Sequence, residues 1–167
     1  LNKLIDELYK STKLISGNFD PERSLFDLDE MMDEAIQSTK QLFKNRGIVK
    51  TGTANVSLSA DRDKISQVLT NYLTNAIKYS DGNESIEVSS KIENEIVIVS
   101  VKDSGKGIPE KDLPLIFNRF YRSPEAKSSE GLGLGLFLSN QIVAAHGGKT
   151  WVESEEGKGS IFFFSLD

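Results

Sequence analysis

A chain of 167 residues, 38% hydrophobic and 27% charged, has the size and balance of one globular domain with a sizeable core. Its net charge is −5 and no Lys/Arg cluster is dense enough for a phosphate backbone, so nucleic-acid binding is not expected. With no cysteine and a single histidine, His146, the chain excludes disulfides, Cys-ligated zinc and a multi-histidine metal site. No apolar run approaches the roughly 20 residues of a membrane span, and no signal peptide is recognisable.

From Leu1 to Ile15, apolar residues at Leu1, Leu4, Ile5, Leu8, Leu14 and Ile15 predict an amphipathic helix stopped at Gly17. The chain opens inside a helical pattern, which reads as a piece of something longer: a bundle or coiled-coil fragment, or a helix packed on the domain. A polar linker follows (Gly17 to Ser24), then a short strand from Ser24 to Phe26. Asp27 caps a second helix, with Glu30 placed for a capping box. Its stripe is Leu28, Met31, Met32, Ala35, Ile36, Thr39, Leu42 and Phe43, with the methionines as core filling, and it ends at Asn45 to Gly47. Val56 and Leu58 fit a short strand. Asp61 to Ser80 then reads as one long helix with Asp61 at its N-cap. Ile65, Val68, Leu69, Tyr72, Leu73 and Ala76 form a core stripe, while Asn71, Asn75 and Lys78 share a second face. Alone, that polar face could be plain solvated surface.

Asp81-Gly82-Asn83 is a turn, and alternation at Ile86, Val88 and Ile92 and at Val97, Val99 and Val101 predicts a hairpin around Glu93 to Glu95. Strand side chains alternate, so Asp103 falls on the same apolar face as the three valines. A carboxylate there needs donors. Either the amides of Gly105 and Gly107 satisfy it, or it is an acceptor held for a ligand. Ile108 to Tyr121 is read as a short helical region with Pro109 and Pro114, and Arg122 to Glu130 as a mobile loop. Gly131, Gly133 and Gly135 crowd the start of a helix carrying Leu134, Phe137, Leu138, Ile142 and Ala145 and ending at Gly147. Close approach of backbone amides to an anion is one reason for glycines there. A last hairpin, Thr150 to Ser154 and Ser160 to Leu166, closes the chain, with Phe162, Phe163 and Phe164 as core. The predicted fold class is α+β: a two-layer α/β sandwich with a mixed, mostly antiparallel sheet and helices on one face. There is no G-x-x-x-x-G-K-[ST], hence no P-loop.

Four stretches stand in register: Asn71-x-x-x-Asn75-Ala-x-Lys78-Tyr79; Asp103-Ser-Gly105-Lys-Gly107-Ile108-Pro; Ile116-Phe117-Asn-Arg119-Phe120-Tyr-Arg122; and Gly131-Leu132-Gly133-Leu134-Gly135-Leu, followed by Ala145-His146-Gly147-Gly148. Their order and spacing resemble the N box, first glycine box, F box and second glycine box of the catalytic ATP-binding domain of bacterial sensor histidine kinases, in the GHKL superfamily. Gly157-Lys-Gly159-Ser160 is similar to the last small glycine motif. The resemblance covers Ser24 to the C-terminus, with residues 19–167 as the domain. It implies a Bergerat fold binding ATP and Mg²⁺. Carried over residue by residue, Asn75 ligates Mg²⁺, Asn71 and Lys78 meet the phosphates, and Tyr79 packs near the nucleotide. Asp103 accepts from the adenine amino group, beside Gly105, Gly107 and Ile108. Gly131, Leu132, Gly133, Leu134 and Gly135 line the phosphates, and Ser160 belongs to the same binding set. Arg119 and Arg122 are candidate γ-phosphate contacts, hinge anchors or surface ion pairs. Phe120 joins the binding set, although with Phe117 it more naturally fixes the base of the lid.

The family's phosphoacceptor is a His on a dimeric helical hairpin. Residues 1–18 look like the end of that hairpin and its linker, and His146 has a structural role. The resemblance therefore implies half an enzyme: an ATP site whose γ-phosphoryl goes to a His outside this chain, then to a response regulator. The piece is expected to be monomeric and its parent dimeric, with this domain cytoplasmic and the parent anchored in the inner membrane as one option. Other GHKL ATPases generally hydrolyse ATP through a Glu on the asparagine helix, and this helix has no acidic residue between Asp63 and Ser80. Two alternatives remain open at this point. One is a GHKL protein Ser kinase of the anti-sigma type or another GHKL ATPase. The other is a non-catalytic nucleotide-binding interaction module.

Overall fold

The computed structural model describes residues 19–80, 82, 84–123 and 132–167. The helix expected at Leu1 to Ile15 lies outside them. Strand β1 (Ser24–Asp27) leads directly into helix α1 (Leu28–Leu42). Asp27 is the N-cap, its carboxylate accepting from the Glu30 amide at 2.9 Å. Leu28, Met31, Met32, Ala35, Ile36 and Thr39 are buried as their spacing predicts. Leu42 and Phe43 are not: they are 77% and 37% exposed, because the last turn of α1 finds nothing to pack against among the described residues.

Next comes a strand absent from the expected order, β2 (Ile48–Gly52), then β3 (Ser57–Ala60), which pairs antiparallel with β1. Strand β2 buries only Ile48 fully, and its identity comes from parallel pairing with a distant strand. Helix α2 (Arg62–Tyr79) follows, then the hairpin of β4 (Ile86–Glu93) and β5 (Ile96–Asp103). Its turn residues Asn94 and Glu95 both have positive φ, the conformation that suits a two-residue hairpin loop. Ile92 is exposed; the third inward position of β4 is Ser90.

Residues 109–121 form a chain of turns rather than a helix. Amides reach back three residues, Asp112 to Pro109 O at 2.8 Å, Leu115 to Asp112 O at 2.8 Å and Asn118 to Leu115 O at 2.9 Å. Pro114 has no amide for a longer-range bond and its ring would crowd the preceding turn, so a regular helix cannot run through it. Helix α3 (Gly135–Ala145), β6 (Thr150–Glu155) and β7 (Gly159–Leu166) complete the domain.

The main sheet has the order β2-β4-β5-β7-β6, with only the β2–β4 pair parallel. The helices cover one face, as the predicted sandwich requires. All six residues of the α2 stripe are at most 1% exposed and meet Val88, Val99, Val101 and Phe164 from the sheet. The Tyr72 ring lies 5.4 Å from Phe162 and 6.0 Å from Phe164. Phe163 alternates to the opposite face, where it stacks on Trp151 at 4.9 Å, so the three phenylalanines are not one core group.

Replacing Leu69 by Ala should cost about 2–5 kcal/mol of unfolding free energy in a denaturant titration, from lost burial plus a cavity. The same change at Leu42 should stay within about 0.5 kcal/mol, since that side chain already faces solvent.

Candidate functional site

Helix α2 is held at both ends. At the start, the Asp61 carboxylate accepts from the Lys64 amide at 3.2 Å, and the Asp61 amide donates to His146 Nε2 at 3.0 Å. At the end, the Arg46 guanidinium donates to the Ser80 carbonyl at 3.3 Å and also to the Ser80 hydroxyl, which donates to Ala76 O at 2.6 Å. The buried stripe then aims the second face sideways. Asn71 and Asn75 are half-buried on it, while Lys78 and Tyr79 are exposed, the Lys78 ammonium 5.3 Å from the Tyr79 ring.

Asn71 meets α3. Its amide nitrogen donates to the buried Ser139 hydroxyl at 2.9 Å, and a Cβ on Gly135 would stand 2.5 Å from its oxygen. Any larger residue there would have to displace the Asn71 amide from its place against α3. Leu134 occupies the N-cap of α3 and supplies no side-chain hydrogen bond, so the first amides of α3 lack the usual capping acceptor. Gly131 falls outside the described residues, as do residues 124–130 of the expected loop.

Asp103 ends β5, 5% exposed, on the helix-facing side as the alternation predicts. Its carboxylate accepts from the Gly105 amide at 2.8 Å. The second amide holding it belongs to Ser160 rather than the expected Gly107, because β5 pairs with β7 at Asp103–Ser160. Burial pushes the Asp103 carboxyl above its ordinary range, and the two amides pull it part of the way back. A Cβ on Gly105 would drive into the Tyr79 carbonyl. That contact seats the Asp103 turn on the end of α2. Gly107, at φ +69°, passes equally close to the Glu155 carbonyl, and the Ile108 amide donates to Ser154 Oγ at 2.8 Å, which bonds the Gly159 carbonyl at 2.9 Å.

The two flanks of residues 124–131 are stapled together. The Phe120 amide donates to the Gly133 carbonyl at 3.1 Å, both residues have positive φ, and a Cβ on Gly133 would stand 2.6 Å from Tyr121 O. Phe120 is 51% exposed with the Arg119 guanidinium 4.7 Å from its ring, whereas Phe117 packs on the core. Arg122 is half-buried, and Leu132 packs at the core's edge beside the buried Leu134. Beneath them the buried Asp112 accepts from the Tyr121 hydroxyl, which raises the Tyr121 pKa; Asp112 Oδ2 has no partner among the described residues. Asp112, Ser139 and the His146–Asp61 pair were not singled out as site-shaping residues by sequence reasoning. Ser139 left a faint signal as a lone hydroxyl in an apolar helix, and Asp112 left none.

Among the described residues no three His, Cys, Asp or Glu side chains cluster to hold a metal. A divalent cation here would need neutral oxygens and the anions of its own ligand. A recess of about 330 Å³ at the end of the sheet is bordered by Asp103, Ser154 and Ser160; another of about 210 Å³ lies on the open sheet face, away from Asn71 and Asn75.

Helix α2 is thus the common wall for a buried carboxylate at one end and a glycine-bearing helix start at its middle. Residues 60–167 match the family described as "Histidine kinase-, DNA gyrase B-, and HSP90-like ATPase", and the chain belongs to that family. Its relatives include the sensor histidine kinase WalK of Bacillus subtilis, 46% identical over 110 residues (64% of this chain and 18% of WalK). They also include the sensor protein kinase WalK of Staphylococcus saprophyticus, 33% identical over 98% of this chain and 28% of that protein. The chain therefore spans under a third of the length of these curated relatives. Among solved structures, the catalytic domain of histidine kinase ThkA in a nucleotide-free form matches with a TM-score of 0.75 at 33% identity, over 87% of this chain and 95% of that one. Full-length ShkA in complex with AMPPNP shares the fold, with a TM-score of 0.85 at 23% identity, over 98% of this chain and 35% of that one.

The raised Asp103 carboxyl has a signed consequence. Its folded-state pKa lies above the unfolded value near 4, so its contribution favours folding below that value and is lost as pH rises through the folded pKa. Thermal melts of ligand-free Asp103→Asn should therefore gain on the wild type between pH 3 and pH 7. A wild type that gains on the variant over that range would contradict a desolvated Asp103.

Proposed function

We propose that this chain is the ATP-binding catalytic domain of a two-component sensor histidine kinase, and that it holds ATP–Mg²⁺ against α2. The observation that carries this is the double contact on α2, Gly135 against Asn71 and Gly105 against Tyr79, which puts an anion-seeking helix start and a buried acceptor on one wall. The residues present fit the ligand. Asp103 supplies an acceptor for the adenine amino group, with Gly105, Gly107 and Ile108 letting the backbone run close to the base and Ser160 steadying the carboxylate. Tyr79 packs beside the nucleotide. Asn75 offers Mg²⁺ a neutral oxygen, suited to an ion that keeps waters and takes much of its shell from phosphates. Asn71 and Lys78 face the phosphates, with the amides from Gly131 through Leu132, Gly133 and Leu134 to Gly135. Arg119 and Arg122 neutralise charge on the transferring group, and Phe120 forms the base of the lid.

Phosphoryl transfer depends mainly on positioning and charge neutralisation. The acceptor is an imidazole nitrogen on a helical hairpin outside the described residues, and the next recipient is a response regulator. Helix α2 carries no acidic residue between Asp63 in its first turn and Ser80, so nothing on it is placed to activate water. That favours a transferase over the ATPase alternative. His146 is no acceptor, since it is 5% exposed with both ring nitrogens engaged. The parent is read as a dimer with this domain on the cytoplasmic side, where ATP is available, and an inner-membrane anchor as one option for it; no described helix is long and apolar enough to cross a membrane.

Calorimetry should find ATP binding by the isolated chain that strengthens with Mg²⁺. Asn75→Ala should lose most of the Mg²⁺-dependent gain with little change for adenosine, and Asp103→Asn should weaken every adenine ligand by roughly tenfold or more, the scale of a lost buried hydrogen bond to a charged group. Incubation with γ-labelled ATP should leave the chain unlabelled. An acid-labile label that disappears on changing His146 would overturn the division of labour.

A further inference from the structure

We propose that His146 is a positioning residue for the nucleotide site, tying the end of α3 to the start of α2 so that the start of α3 stays seated beside Asn71. This rests on the nucleotide reading above. His146 follows α3 directly, and its Nδ1 lies 2.7 Å from the Ile142 carbonyl while its Nε2 accepts from the Asp61 amide at 3.0 Å. A carbonyl can only accept and an amide N–H can only donate. The ring is therefore the neutral tautomer with its hydrogen on Nδ1. Asp61 is a junction in its own right: its carboxylate takes the amides of Lys64 and Glu22, each at 3.2 Å. The Phe19 ring stands 6.5 Å from the imidazole, with the Lys64 ammonium 5.9 Å beyond it.

The second tie between the helices is Asn71 to Ser139. Along α2 the two ties are separated by about 15 Å, and along α3 by about 10 Å, at 1.5 Å per residue. The buried Leu138, Ile142 and Val143 pack α3 into the core, and two hydrogen bonds at separate points hold its crossing angle and slide more narrowly than one. The tie that remains on losing His146 is Asn71–Ser139, with Gly135 packed against the Asn71 amide. Motion about it displaces the phosphate end of the site. The Asp103 turn is anchored separately, at Tyr79 on the far end of α2, and stays where it is.

The test compares ATP–Mg²⁺ with adenosine in calorimetry on the wild type, His146→Gln, His146→Asn and His146→Ala, each first shown folded by circular dichroism. Gln can present an oxygen where Nε2 stands and keep the Asp61 bond. Asn is too short to do so and keeps only the bond to Ile142. The Gln variant should bind ATP–Mg²⁺ within about twofold of wild type, while Asn and Ala lose roughly tenfold, the scale of one buried hydrogen bond; adenosine affinity should hold in all. The Gln–Asn pair carries the result if the Ala variant does not fold. Equal losses for both ligands would mean general destabilisation, and unchanged ATP–Mg²⁺ affinity in Asn would mean no positioning; either overturns the proposal. A wild type that binds adenosine and ATP no better than buffer salts would overturn the nucleotide reading itself, and the proposal with it.

Discussion

Everything at the candidate site depends on the burial of one helical stripe. Ile65, Val68, Leu69, Tyr72, Leu73 and Ala76 are removed almost completely from water against the sheet and the neighbouring helices. Each larger member contributes on the order of 1.5–3 kcal/mol of transfer free energy. No surface interaction on α2 is comparable, so the stripe decides the rotation of the helix about its axis. Once that rotation is set, Asn71, Asn75 and Lys78 have no choice of direction. The direction of the polar face is left over from the core, and its precision is the precision of the packing behind it.

A second constraint is the absence of side chains where backbones meet. Gly105 seats the Asp103 turn on α2 and Gly135 lets α3 close on Asn71. A Cβ at Gly105 would meet the Tyr79 carbonyl, and one at Gly135 would have to displace the Asn71 amide. These contacts convert three separate segments, far apart in sequence, into one surface. The cost of glycine in conformational freedom is offset by what the close approach brings together. Asp103 shows the opposite balance: burial disfavours its charge, and only the Gly105 and Ser160 amides keep the carboxylate tolerable. A buried acceptor whose charge is disfavoured by its surroundings is a good partner for a further donor.

The boundary between legible and illegible is sharp at particular residues. The α2 stripe, the Asp27 and Asp61 caps, the β4–β5 hairpin and the inward direction of Asp103 follow from periods of 3.6 and 2 and from cap chemistry, all local. Strand β2 was invisible because a five-residue edge strand with one fully buried side chain has no period to read. The last turn of α1 kept its apolar pattern but lost its partner, leaving Leu42 in solvent. The stretch after Pro109 carried helix-like apolar spacing, and Pro114 turned it into successive turns.

By itself, the sequence determined which elements form, which face of each is apolar, and which residue types stand in the motif positions that mark the nucleotide-binding family. It could not determine who meets whom. The bond of Asn71 to Ser139, the Ser160 amide on Asp103 and the hold of His146 on Asp61 join residues 57 to 85 positions apart. Nothing local encodes such pairs. They exist because the sheet order and the burial of α2 bring those backbones together, and hydrogen-bond donors buried there must then find an acceptor.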